Sequence, residues 1–168
     1  MWSRATNGSG GRVDIGRHRR TTLGPVEALV IAHLCCTWGM IGVMAVIDLV
    51  HYPLFARVGL DTWTDFHNEH SRRMLSPLAI LWTGELLSGI GILALGNSET
   101  LLPALIGIAL TGATLGITAF MAVPRHQALA AGFDAEVHRS LMSADRARFT
   151  VWCARGAVAI WLLSASSP

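Results

Sequence analysis

Four long apolar stretches divide the chain, and short polar runs separate them. They extend from Val26 to Ile47, Met74 to Leu95, Leu101 to Val123 and Phe149 to Ser166. Three of them reach the roughly 20 residues that carry a helix across a bilayer; the fourth is shorter and contains Arg155. The pattern predicts an all-α fold, a four-helix transmembrane bundle with spans at about 26–50, 74–95, 101–123 and 149–166. These spans form one domain, residues 25–168, behind a tail, residues 1–24, that is rich in Gly and Arg and lacks apolar periodicity. That composition predicts disorder for the tail. The apolar run after it is longer than the core of a signal peptide, so the first span reads as an uncleaved anchor.

The polar run "DTWTDFHNEHSRRM" has a helical pattern of its own. At about 100° per residue, Trp63, Phe66, His67, His70 and Met74 fall on one stripe, with Asp61, Asp65, Asn68, Glu69 and Arg72 opposite. A short amphipathic interfacial helix over about 60–73 is predicted. Its histidines side with the aromatics, away from water.

The same projection gives each span a polar seam. His33, Thr37, Met40, Met44, Asp48 and His51 align on the first; Thr111, Thr114, Thr118 and Arg125 on the third; Asp145, Arg148, Trp152 and Arg155 on the fourth. The second carries Glu85 near its middle. Ionisable side chains in hydrocarbon cost about 2.5–3.5 kcal/mol each on the mild insertion scale, so these seams should face the bundle interior. Glu85 lies about 18 Å below Arg73, and Arg155 about 10 Å below Arg148, at 1.5 Å per residue. Arg155 should therefore be able to reach Glu85. The threonines should bond back to their own helix carbonyls.

Composition sharpens the membrane reading. Of 168 residues, 52% are hydrophobic and 14% charged, against the roughly 25% charged expected of a soluble domain. All thirteen basic residues are arginine, the net charge is only +2, and basic and aromatic residues do not interleave, so nucleic acid is not expected as a partner. Cys35, Cys36 and Cys153 lie inside spans and read as packing residues rather than a disulfide framework. The tail carries five arginines and the two long inter-span loops seven. Counting basic residues leaves the orientation in tension; weighting the first helix puts the termini in the cytoplasm of a multi-pass cell-membrane protein.

The two halves also echo each other. "VHYPLFARVGLD" closes the first span and "AVPRHQALAAGFD" the third, each with a proline two residues from a histidine and then a Gly–apolar–Asp triplet. Whether by duplication or by chance, both histidine-bearing loops then share one side of the membrane. His51, His67, His70, His126 and His138 gather there, with Asp48 three residues before His51.

At "VHYPLFARV", His67 and His70, "LSPLAILWTGELLSG", "VPRHQAL" and "RFTVWCAR", the chain resembles a group of small bacterial four-helix membrane proteins of unknown function. The likeness runs from about His51 to Arg155 and implies a four-span bundle. Where that group places an Asn-Trp turn before the fourth span, this chain has "ADRARF".

These residues suggest one polar pocket opening toward the long loops, with two kinds of chemistry in it. His51, His67, His70 and His126 are the candidate ligands of a transition metal, iron, copper or zinc. No HExxH, paired ExxH or repeated HxxxH box accompanies them. Haem held by His33 and a loop-side histidine is a variant. Glu85, Arg155, Asp48 and Arg148 are the candidate catalytic groups for acid–base chemistry, with the histidines relaying protons near neutral pH. No phosphate loop, nucleophile elbow or CxxC is present. The expected function is a small membrane enzyme acting on a lipophilic or redox-active small molecule from the lipid bilayer. The rival is a non-catalytic module for transport, conduction or partner stabilisation. The glycines of "SGIGILALG" and "GIALTGATLG" should permit close helix contacts within the chain or in a homo-oligomer.

Overall fold

The computed structural model describes residues 23–166. All but the last two residues of the predicted tail lie outside the described residues. Four helical rods, Pro25–Phe55, Trp63–Leu95, Ser98–Ala130 and Ala135–Ser166, are each long and apolar enough to cross a membrane. Among the described residues there is no strand. The protein is a four-helix bundle of the multi-pass membrane class.

The rods overrun the predicted spans. The first is α1 (Pro25–Val46), a π-turn (Ile47–His51) and α2 (Tyr52–Phe55); the third is α4 (Ser98–Ile117), a π-turn (Thr118–Ala122) and α5 (Val123–Ala130). The second and fourth are the unbroken helices α3 (Trp63–Leu95) and α6 (Ala135–Ser166). The predicted amphipathic stretch is helical from Trp63 and continues straight into the second span. The long loops expected at 51–73 and 124–148 shrink to residues 56–62 and 131–134. Rods of 31 to 33 residues measure about 47–50 Å, against a hydrocarbon core of about 30 Å. The apolar runs end before the helices do; the helices continue because their inner faces still bury against one another.

Each π-turn precedes a proline, Pro53 or Pro124, whereas Pro77 and Pro103 sit inside α3 and α4 without one. A helical proline ring collides with the carbonyl four residues back. For Pro53 and Pro124 those carbonyls belong to Leu49 and Phe120, each inside a π-turn, where the wider winding absorbs the conflict. The rods start on defined caps. Glu27 accepts from the Gly24 amide at 2.8 Å. Asn97 accepts from Glu99 and Thr100 amides at 3.0 and 3.1 Å. Asp134 accepts from Glu136 and Val137 amides at 2.7 and 2.9 Å. The halves thus share an order, a rod interrupted by a π-turn followed by an uninterrupted α-helix, which parallels the loose sequence echo.

Packing follows the order α3, α1, α6, α4 around the bundle, and the seam between α3 and α4 is the least closed. Glycines set the close approaches. A Cβ on Gly84 would sit 2.6 Å from Cys36 Sγ, and one on Gly156 2.7 Å from Ile41 Cδ1, so α3 and α6 both press against α1. Gly112 and Gly116 on α4 face open space instead. The expectation of close glycine contacts therefore holds against α1 and not, within this chain, at "TGATLG".

Candidate functional site

The single pocket expected from the seams resolves into two clusters, and this corrects the sequence reading. Glu85 and Arg155 lie at one level with His33; Asp48, Arg148 and the loop-side histidines lie at another. His70 and Glu85 are fifteen residues apart on α3, about 22 Å at the helical rise. Buried Met40, Met44 and Trp152 fill the space between levels. One seam became two sites because the same helix faces carry large apolar side chains midway.

In the inner cluster Arg155, 3% exposed, donates to Glu85 through Nε at 3.0 Å and again through Nη2. Nη1 donates to the Gly107 carbonyl and to Thr111 Oγ1, and Nη2 also approaches His33 Nε2 at 3.4 Å. A guanidinium cannot accept, so His33 Nε2 is the acceptor and its proton sits on Nδ1. Nδ1 then faces the Glu85 carbonyl at 3.2 Å and Ser88 Oγ at 3.0 Å. Thr37 donates to Glu85 Oε1 at 2.7 Å. Thr111, Thr114 and Thr118 bond back to carbonyls at 2.7–3.0 Å, as their spacing predicts. Both ring nitrogens of His33 are engaged within this network, an arrangement that does not fit the haem variant.

The outer cluster brings together all four candidate metal ligands. The π-turn aims His51 inward, α3 supplies His67 and His70 one turn apart, and α5 supplies His126 just after Pro124. Phe55, fully buried, packs its ring edge against His51, His67 and His70. Trp63 locks α3 to α5 by donating to the Leu129 carbonyl at 2.7 Å.

The imidazoles meet as two pairs, not around one centre. His51 Nε2 and His70 Nδ1 are 2.7 Å apart; His67 Nε2 and His126 Nδ1 are 3.2 Å apart. Two nitrogens on one tetrahedral ion at about 2.0–2.1 Å would stand roughly 3.4 Å from each other. The first pair is closer than that, at hydrogen-bond range. Among the described residues no three His, Cys, Asp or Glu side chains converge as a metal-binding set. The metal expectation for His51, His67, His70 and His126 thus meets hydrogen-bonded dyads.

The second dyad extends into a chain. His126 Nε2 meets the Tyr52 hydroxyl at 2.8 Å, and His138 Nε2 donates to the Tyr52 carbonyl at 2.8 Å. Tyr52 is the only tyrosine in the protein, a signal that was readable beside His51 yet missing from the expected site. Beyond it Arg148 pairs with the fully buried Asp145. Asp48 Oδ1 lies 3.8 Å from Arg146 Nε, too far for a hydrogen bond.

Polar satisfaction is incomplete here. Asp48 Oδ1, His67 Nδ1, Asp145 Oδ2 and Arg148 Nε are buried without a hydrogen-bond partner; Trp82 Nε1 is the remaining such atom among the described residues. Buried polar groups are nearly always bonded, to protein or to water. Four exceptions from one cluster mark it as unusual.

His51 connects this cluster to the outside. It lines, with Gly39, Gly42, Val46, Met74 and Pro77, an apolar groove of about 500 Å³ between α1 and α3. No family model, no curated protein and no solved structure matches the chain.

Proposed function

We propose that this protein is a small membrane enzyme that moves protons on a lipophilic molecule held in the α1–α3 groove, with His51 as the group that meets it. The observation that carries this is the His51–His70 dyad at the head of an apolar groove. The groove volume falls within the roughly 300–1,000 Å³ of small-molecule sites. Its lining suits a hydrocarbon body and offers one titratable head.

The dyad can work in either direction. With the shared proton on His70 Nδ1, His51 accepts at Nε2 and carries its own proton on Nδ1, ready to donate as a general acid. With the shared proton on His51 Nε2, His51 Nδ1 is bare and acts as a general base. The two states interconvert without creating charge when His51 Nδ1 gives up its proton, the shared proton moves from His70 Nδ1 to His51 Nε2, and His70 Nε2 takes up another. The His67–His126–Tyr52 chain beside it gives a second route along which protons can be resupplied. A transition metal bridging the imidazoles would require the dyads to open. Asp48 and Arg148 serve in this reading as the charged surround of the cluster.

The same reading places the chain in the cell membrane with its termini in the cytoplasm, on the strength of the arginine-rich tail. It also groups the chain with the small bacterial four-helix proteins it resembles, and leaves a homo-oligomer open to measurement.

The test compares the lipid-soluble molecules of cells expressing the wild type or His51→Ala at equal membrane levels. A molecule consumed or formed only with the wild type supports the enzyme. Identical extracts, with unchanged thermal stability of His51→Ala in mild detergent, move the protein to the non-catalytic class. Metal content of protein purified without a histidine tag decides the metal question. Near-stoichiometric iron, copper or zinc lost in His67→Ala would replace the dyads by a metal centre.

A further inference from the structure

A second recess lies on the other side of α3, and nothing in the proposed reaction uses it. It is a cavity of about 240 Å³ where α3 and α4 close poorly. Its floor is Glu85, Arg155, His33 and Thr111. Its mouth is formed by Leu86 and Ile90 on α3 with Ile108 and Leu115 on α4, which line the cavity and are also 45–59% exposed on the outer surface of the bundle. The opening therefore faces lipid.

The floor has a definite hydrogen-bonding character. A guanidinium has five N–H donors, and each of Arg155's has an acceptor: Glu85 Oε1 twice, the Gly107 carbonyl, Thr111 Oγ1 and His33 Nε2. Every side-chain bond to Glu85, including that from Thr37, ends on Oε1. Oε2 takes none, although Glu85 is only 3% exposed. The floor consequently offers an acceptor and no donor. A carbonyl, ether or quinone oxygen would find nothing to bond, whereas a hydroxyl would supply the missing donor. The charge of Glu85 is already balanced by Arg155, so an incoming cation would add an uncompensated charge within hydrocarbon. A neutral donor avoids that.

We infer that the α3–α4 cavity is a binding site for a neutral lipophilic hydroxyl compound, a phenol or alcohol that enters sideways from the bilayer and donates to Glu85 Oε2. The volume is below that of sites enclosing a whole drug-sized molecule. It suits a hydroxylated head, with the hydrocarbon remainder lying between Leu86, Ile90, Ile108 and Leu115 and out into lipid. This site stands independently of the reaction proposed at His51, about 20 Å away along the bundle.

The test uses the full chain in lipid nanodiscs and two probes, a ring-fluorinated 4-octylphenol and its methyl ether, followed by the fluorine resonance of each. Their tails are identical, so partition into lipid is matched. The phenol should bind at least about tenfold more tightly than the ether, as expected for a hydrogen bond to a charged acceptor. Glu85→Gln also strips Arg155 of its counter-charge, so the deciding variant is Gly112→Leu. Gly112 lines the cavity and a Cβ there meets nothing within 4 Å, so a larger side chain fills the recess without forcing the helices apart. Gly112→Leu should lose phenol binding while keeping the wild-type Tm or raising it. Equal binding of the two probes, binding of neither, or undiminished phenol binding in Gly112→Leu overturns the proposal.

Discussion

Both polar clusters are buried in an otherwise apolar bundle, but they use their hydrogen-bonding capacity differently. Around Arg155 every donor has an acceptor, and a single carboxylate oxygen, Glu85 Oε2, is left over. Around the histidines four buried polar atoms from three helical rods have no partner. The difference follows from depth. Midway through the membrane no water can complete a bond, so the sequence must supply every partner. Toward the end of the bundle the demand is less strict, and four polar atoms stay buried there with no partner in the chain. Saturation accordingly marks the Glu85–Arg155 level as a framework with one ligand-facing atom. Incompleteness sets the histidine level apart, and it is there that the proposed proton transfer is located.

The largest expected effect tests that contrast directly. Glu85→Leu leaves Arg155 as an uncompensated buried charge and should destabilise the protein by about 3–5 kcal/mol. The double variant Glu85→Leu/Arg155→Leu removes both charges and should recover most of that loss. His67→Ala, at the other level, loses one bond from an already incomplete set and should cost only about 1–3 kcal/mol. Denaturant titration in mild detergent, run on all three, checks the ranking. A His67→Ala loss equal to that of Glu85→Leu would erase the distinction between framework and exchange site.

A smaller effect separates the two sides of α3. Gly84→Ala places a methyl 2.6 Å from Cys36 Sγ across the tight α1–α3 contact, and overpacking of this kind typically costs about 1–3 kcal/mol. Gly112→Ala on α4 meets open space and should be neutral or stabilising by up to about 1 kcal/mol, the helix-propensity gain of Ala over Gly. Opposite signs of the change in Tm for the two variants would confirm that the bundle is closed on one side of α3 and open on the other.

Much of this was legible in the sequence, for reasons particular residues make clear. The seams of the first and fourth spans needed only helical periodicity: His33, Thr37, Met40 and Met44, and Asp145, Arg148, Trp152 and Arg155, are all buried. The reach of Arg155 to Glu85 followed from rise per residue. Periodicity says which face a residue occupies, not how far down the bundle its partners lie, so one continuous pocket was expected where Met40, Met44 and Trp152 in fact divide it. Nor does spacing within one helix reveal pairing between helices. His67 and His70 read as a shared ligand pair, yet each turns to a different rod, His70 to His51 and His67 to His126. The π-turns that arrange this were hidden because the proline after each also reads as a helix end.

The mildest expected effect lies outside both clusters and tests the shared architecture of the two halves. Asp134 begins the fourth rod by accepting the Val137 and Glu136 amides, and those bonds hold its carboxyl below the ordinary aspartate value. The first half has no equivalent bond: Thr62 precedes the second rod without a side-chain cap. Because the folded value is depressed, the contribution of Asp134 is fully present above the unfolded value of about 3.9 and fades as pH falls through the lower, folded one. Asp134→Ala should therefore lower Tm slightly at neutral pH, and the gap to wild type should close on acidification below about pH 4. A gap that persisted undiminished in strong acid would mean that Asp134 acts through loop conformation rather than through its charge at the helix start.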